Sequence, residues 1–135
     1  LVAAAAAAVV ALVAGIATAV GRGGAEDVVA SARLQPLADA TSVTAELVDD
    51  DGQLQLDIPL SQADLPAPND GFYEVWLIDE AVDGMVSLGP ARDDGVYDVP
   101  DDLDYRSFPI VDVSVERPDG DPEHSGTSVL RGTLS

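Results

Sequence analysis

Ile110-Val111-Asp112-Val113-Ser114-Val115-Glu116 alternates without a break. Val111, Val113 and Val115 fall on one face of an extended chain, and Asp112, Ser114 and Glu116 on the other. Successive side chains of a strand point to opposite faces, so this is the pattern of a half-buried antiparallel strand. The valines are expected toward a core and the polar trio toward solvent. Pro118-Asp119-Gly120 then turns the chain, and a last strand follows from Ser128 to Leu134, with Leu130 and Leu134 on one face.

The same period of two runs through the stretches before it. Val28, Ala30, Ala32 and Leu34 alternate with Val29, Ser31 and Arg33; Val43, Ala45 and Leu47 alternate with Ser42, Thr44 and Glu46. Leu54, Leu56 and Ile58 alternate with Gln53, Gln55 and Asp57. Between the last two stands Asp49-Asp50-Asp51-Gly52, where glycine can supply the positive φ of a hairpin turn. Phe72 to Ile78 is apolar on both faces except at Glu74, which reads as a central strand containing Trp76 in the core. Met85 to Leu88 is a short strand stopped by Gly89-Pro90, and Gly95 to Val99 a weaker one stopped by Pro100. Leu65 to Asp70 and Asp101 to Asp104 read as loops. Seven or eight short strands with frequent turns predict an all-β fold, an antiparallel β-sandwich over residues 27–135.

The first twenty residues differ. Leu1 to Val20 carry no charge and only Thr18 is polar. As a helix this run spans roughly 30 Å, the thickness of a bilayer core. Residues 1–20 are therefore expected to be a transmembrane helix in the lipid bilayer, and the small residues of 21–26 a flexible juxtamembrane linker. Ala17-Thr18-Ala19 also fits a signal-peptide cleavage site, but no basic stretch or initiator Met precedes the run. The chain reads as a piece of a longer protein. Either reading places the rest outside the cytoplasm, at the plasma membrane for an anchored, single-pass chain.

Composition narrows the chemistry. The formal net charge is −19, and all 25 acidic residues lie beyond position 25. Such a surface repels phosphate backbones, so no nucleic-acid partner is expected. With no cysteine there are no disulfides, thiolate metal sites or cysteine nucleophiles. His124 is the lone histidine, and it reads as a loop residue rather than part of a triad with Ser125, since no nucleophile elbow surrounds them. Placing Gly52 at the sixth position of a calcium-binding EF-hand loop suits Asp49 and Asp51. It puts Leu47 first and Ile58 twelfth, so the motif fails. A solvated turn is expected there, with an irregular calcium site among Asp49, Asp50 and Asp51 as the alternative. No catalytic residue, metal or cofactor is expected, and no enzyme activity. A small carboxylate hydrolase would need paired acids in a cleft lined by aromatics, and aromatics are scarce.

Three stretches taken in order resemble a known family. They are Phe72-Tyr73-Glu74-Val75-Trp76-Leu77-Ile78, then Val86-Ser87-Leu88-Gly89, then Val111 to Gly120 with His124-Ser125-Gly126 and Ser128-Val129-Leu130-Arg131-Gly132. Tyr-x-x-Trp-Leu, a small-residue strand ending in Gly, and a Val-rich strand running into Glu-x-Pro-x-Gly are similar to the C-terminal domain of anti-sigma-K factors of the RskA type. The resemblance implies a single-pass membrane protein whose cytoplasmic segment, outside this sequence, holds an extracytoplasmic-function sigma factor. It also implies that membrane proteases release that factor by regulated intramembrane proteolysis. Residues 1–135 would then supply the anchor and the outer regulatory domain. The alternative is an exported ligand-binding module with loops such as Pro66 to Gly71 and no sigma-factor link.

Overall fold

A computed structural model describes residues 26–135. The expected helix over 1–20 and all but the last residue of the 21–26 linker lie outside the described residues. Among the described residues, no helix is long and apolar enough to cross a membrane.

Eight strands form at the stretches where strands were expected: β1 (Asp27–Pro36), β2 (Val43–Asp50), β3 (Gln53–Asp57), β4 (Phe72–Ile78), β5 (Met85–Pro90), β6 (Val96–Asp98), β7 (Ile110–Glu116) and β8 (Ser128–Thr133). A single 3-10 turn, Leu60–Gln62, is the one helical element described. Every pairing is antiparallel. Asp51 and Gly52 both take positive φ, at 52° and 91°, which joins β2 to β3 through a tight two-residue turn. β5 runs two residues beyond its expected stop. It is an edge strand, where Pro90 need not donate to a second neighbour.

The arrangement departs from two separate sandwich sheets. All eight strands form one sheet in the order β5-β4-β7-β8-β1-β2-β3-β6. β1 makes it continuous. Asp27–Leu34 pair with β2, while Gln35 and Pro36 pair with Arg131 and Leu130 of β8. The sheet curls until its end strands, β5 and β6, touch, giving a nearly closed barrel. Where β8 passes β1 the backbones come very close. A Cβ on Gly132 would lie 2.4 Å from the carbonyl oxygen of Arg33, so only glycine fits.

Curling turns one face of every strand inward. Leu34, Ala45, Leu47, Leu56, Val75, Leu77, Val111, Val113 and Leu130 are wholly buried there. Leu103, Tyr105 and Phe108, from the loop between β6 and β7, pack on the core at one end. Ile58, Leu60, Ala63 and Leu65 do so at the other. Tyr97 is the largest wholly buried side chain. Its hydroxyl accepts the Arg92 N–H at 2.9 Å, and the Arg92 guanidinium lies 5.6 Å from its ring centre.

Burial raises the Tyr97 hydroxyl pKa above its ordinary value of 10.0, with the hydrogen bond and charge of Arg92 opposing in part. A group whose pKa is raised by folding supports the fold while protonated. Its contribution is complete below the unfolded value near 10 and fades as pH climbs through the higher folded value. Thermal unfolding followed from pH 8 to 11 should therefore show the melting temperature falling above about pH 10. Tyr97→Phe should flatten that fall, and an identical alkaline slope in the variant would refute the assignment.

Candidate functional site

The polar face of β7 is where the structure corrects the sequence reading. Asp112, Ser114 and Glu116 were expected in solvent; they are 0%, 0% and 5% exposed. Trp76 is buried as expected, but not in the barrel core. Odd-numbered Val75 and Leu77 of β4 point inward, so Trp76 lies on the outer face, opposite Asp112 in the ladder. What covers this face is the loop of residues 117–127, which folds back from the end of β7 over its own strand.

Local hydrogen bonds wind that loop. The Asp119 carboxylate accepts the Asp121 N–H, and the Asp121 carboxylate accepts the Glu123 N–H, each at 3.0 Å. The chain then presents His124 and Ser125 to the sheet. His124 Nδ1 accepts the Gly126 N–H at 2.9 Å. The ring proton therefore sits on Nε2, which donates to Asp112 Oδ2 at 2.7 Å. The imidazole lies on Trp76 with ring centres 5.0 Å apart and planes tilted by 58°. Beside it the Ser125 N–H is shared between both oxygens of Glu116 at 3.1 and 3.0 Å, and Ser125 Oγ donates to the Val115 carbonyl at 2.7 Å.

The sheet completes the network. Arg131 Nε donates to Asp112 Oδ1 at 2.7 Å, and Ser128 Oγ donates to Asp112 Oδ2 at 2.9 Å. Trp76 Nε1 donates to Ser114 Oγ at 2.9 Å, and Ser114 Oγ donates to Glu116 Oε1 at 2.5 Å. Asp112 is thus met by one cation and two neutral donors. No buried side-chain polar atom among the described residues lacks a hydrogen bond, which is the condition for carrying carboxylates under cover.

Chemically this arrangement fastens a loop. Both imidazole nitrogens are engaged, one by a backbone N–H and one by Asp112, so neither is placed to take a proton from a serine. Ser125 is committed to a backbone carbonyl. Among the described residues, no three of His, Asp and Glu converge to hold a metal ion. At the Asp49–Asp51 turn, the Asp49 carboxylate accepts the Gly52 N–H at 2.6 Å.

The end of the Pro66–Gly71 loop borders this network, Asp70 and Gly71 lining a hollow together with Glu116 and Ser125. Leu65, Pro66, Tyr73 and Arg92 line a shallow groove near that loop, and the Tyr73 hydroxyl donates to the Pro66 carbonyl at 2.5 Å. Asp70, Asp119, Asp121 and Glu123 make the hollow acidic where the loop faces the one after β7.

A family model described as anti-sigma-K factor rskA, C-terminal, matches residues 2–128. Neither the curated proteins nor the solved structures contain a match to the chain.

Proposed function

The chain belongs to the family of anti-sigma-K factor C-terminal domains, and on that premise we propose that it is the membrane anchor and outer regulatory domain of an anti-sigma factor. Residues 1–20 cross the plasma membrane once, and residues 27–135 stand outside the cytoplasm. A cytoplasmic segment preceding them holds an extracytoplasmic-function sigma factor away from its promoters. The domain performs no chemistry of its own; it shields a segment beside the membrane until proteases cut the protein and release the factor.

The observation that carries this reading is the span of the family match. It begins at residue 2, so the uncharged run and the barrel belong to one family unit. The fastened loop suits the role, because a shield must be stable and needs no open catalytic centre. Strong negative charge, 25 acidic residues against five arginines beyond position 25, suits a soluble outer surface.

The test uses the complete gene with its native upstream sequence. The protein is expected to remain in the membrane fraction after carbonate washing, and its deletion to raise transcription from promoters of the cognate sigma factor. Quantitative release of a species starting near Val20, with unchanged transcription, would instead support an exported ligand-binding module.

A further inference from the structure

The hairpin between β4 and β5 holds a valine in a conformation that valine disfavours. Val82 has a φ of 59°, in the left-handed region. A β-branched side chain is crowded against its own backbone there, and glycine or asparagine is the usual occupant. The hairpin imposes the conformation. The Asp79 N–H donates to the Gly84 carbonyl at 2.9 Å and closes the loop, and the Asp79 carbonyl accepts the Val82 N–H at 3.1 Å. The Asp79 carboxylate accepts the N–H groups of Asp83 and Gly84 at 2.9 and 3.0 Å. A β-turn followed by a left-handed residue results, and the residue in that place is Val82.

Packing within the domain does little to offset this strain. Val82 is 39% exposed, and Met85, where β5 begins, is 37% exposed. Glu80, Ala81 and Asp83 beside them are exposed as well. Backbone strain that the surroundings hold in place points to function. Apolar side chains exposed together inside a polar rim point to a contact surface.

Charge indicates what the surface meets. Every pairing is antiparallel, so the β4–β5 hairpin shares one end of the barrel with the β2–β3 turn, the β6–β7 loop and the start of β1. Those loops carry Asp49, Asp50, Asp51, Asp101, Asp102 and Asp104, and Arg106 is their one basic side chain. A second copy of the chain would bring these acids against each other, and anionic lipid headgroups would meet the same repulsion. A basic surface is the complement.

Resting on the regulatory reading above, we propose that the tip of the β4–β5 hairpin docks a partner protein presenting an apolar socket ringed by arginine or lysine. Val82 and Met85 enter the socket, and Glu80 and Asp83 meet its rim. On that reading the chain reaches the barrel from the membrane at this same end. The docked partner therefore adds cover to the segment that proteases cut.

Val82→Gly removes the apolar contact and the strain together, which sets docking apart from stability. In the whole chain in detergent micelles its melting temperature should rise by about 4 °C. In the complete gene the uninduced sigma-dependent reporter should rise about threefold or more, from a domain more stable than the original. A reporter at its original level, or a lower melting temperature, would overturn the docking. Glu80→Lys with Asp83→Lys should raise the reporter likewise by repelling the basic rim. Leu37→Ser, 58% exposed at the far end of the barrel, should leave it unchanged, and an equal rise there would count against the hairpin.

A photo-crosslinking benzoylphenylalanine in place of Ala81 identifies the occupant in living cells. Capture of one protein with a basic surface, abolished by Glu80→Lys with Asp83→Lys, is expected. Crosslinked dimers of the chain, or lipid adducts alone, would overturn the proposal. Deletion of the whole gene separates it from the reading beneath. If deletion raises the reporter and Val82→Gly does not, the docking falls and the regulatory reading stands. If deletion leaves the reporter unchanged, the regulatory reading falls, and the crosslink alone upholds or sinks the docking.

Discussion

Val113→Asp is expected to unfold the barrel and, in the full-length protein, to raise transcription from promoters of the cognate sigma factor without any external signal. Val113 is wholly buried, facing Val75 on β4 and Leu130 on β8, themselves wholly buried. An aspartate there would have no hydrogen-bond donor beyond the backbone and no cation. The guanidinium of Arg131 lies on the opposite face of β7, paired with Asp112. A buried unpaired carboxylate with the valine packing lost costs about 4 kcal/mol or more, against a typical domain stability of about 5–15 kcal/mol. β7 is also central, with β4 on one side and β8 on the other, so the damage cannot be confined to an edge. The measurement is a promoter reporter read beside an immunoblot of the anti-sigma fragments. An unfolded yet uncut protein with an unchanged reporter would mean that the domain docks a signal or a protease instead of shielding.

Trp76→Ala should produce the largest loss of stability outside the barrel core, roughly 3–5 kcal/mol. Trp76 is 3% exposed. Truncation removes the surface on which the His124 ring rests and the Nε1 donor that Ser114 accepts. Ser114 keeps its bond to Glu116, so the variant leaves mainly a cavity rather than an orphaned charge. The expected fall in melting temperature is on the order of 15 °C for a domain of this size. Trp76→Phe keeps most of the packing and loses one hydrogen bond, a cost of about 1 kcal/mol. Calorimetry on the three proteins ranks them directly. An unchanged melting temperature in Trp76→Ala, together with loss of a bound ligand, would identify the indole as a binding platform.

How much of this was legible in the chain follows from which interactions are local. Strand positions depend on the alternation of neighbouring residues. The period-two runs around Val113, Leu56, Ala45 and Ala32 therefore marked β7, β3, β2 and β1, short apolar runs bounded by Gly and Pro marked the other strands, and Asp51-Gly52 marked its turn. The ordered set from Tyr73 to Gly132 likewise carried the family resemblance. The polar cluster was another matter. Alternation separates Asp112, Ser114 and Glu116 from the valines, but it cannot say whether the face they share meets water or protein. That depends on Trp76, 38 residues before Ser114, and on His124 and Arg131, 12 and 19 residues after Asp112. His124 read as a loop residue, and it is one. Only the backward fold of residues 117–127 brings its side chain to 4% exposure.

Closure of the sheet was likewise beyond the sequence, for the same physical reason. Each strand's pattern shows which side is apolar, not which strand lies beside it. Partner choice is a matter of backbone ladders between distant segments. Here those ladders carry β1 across from β2 to β8, turning two expected sheets into one curled sheet.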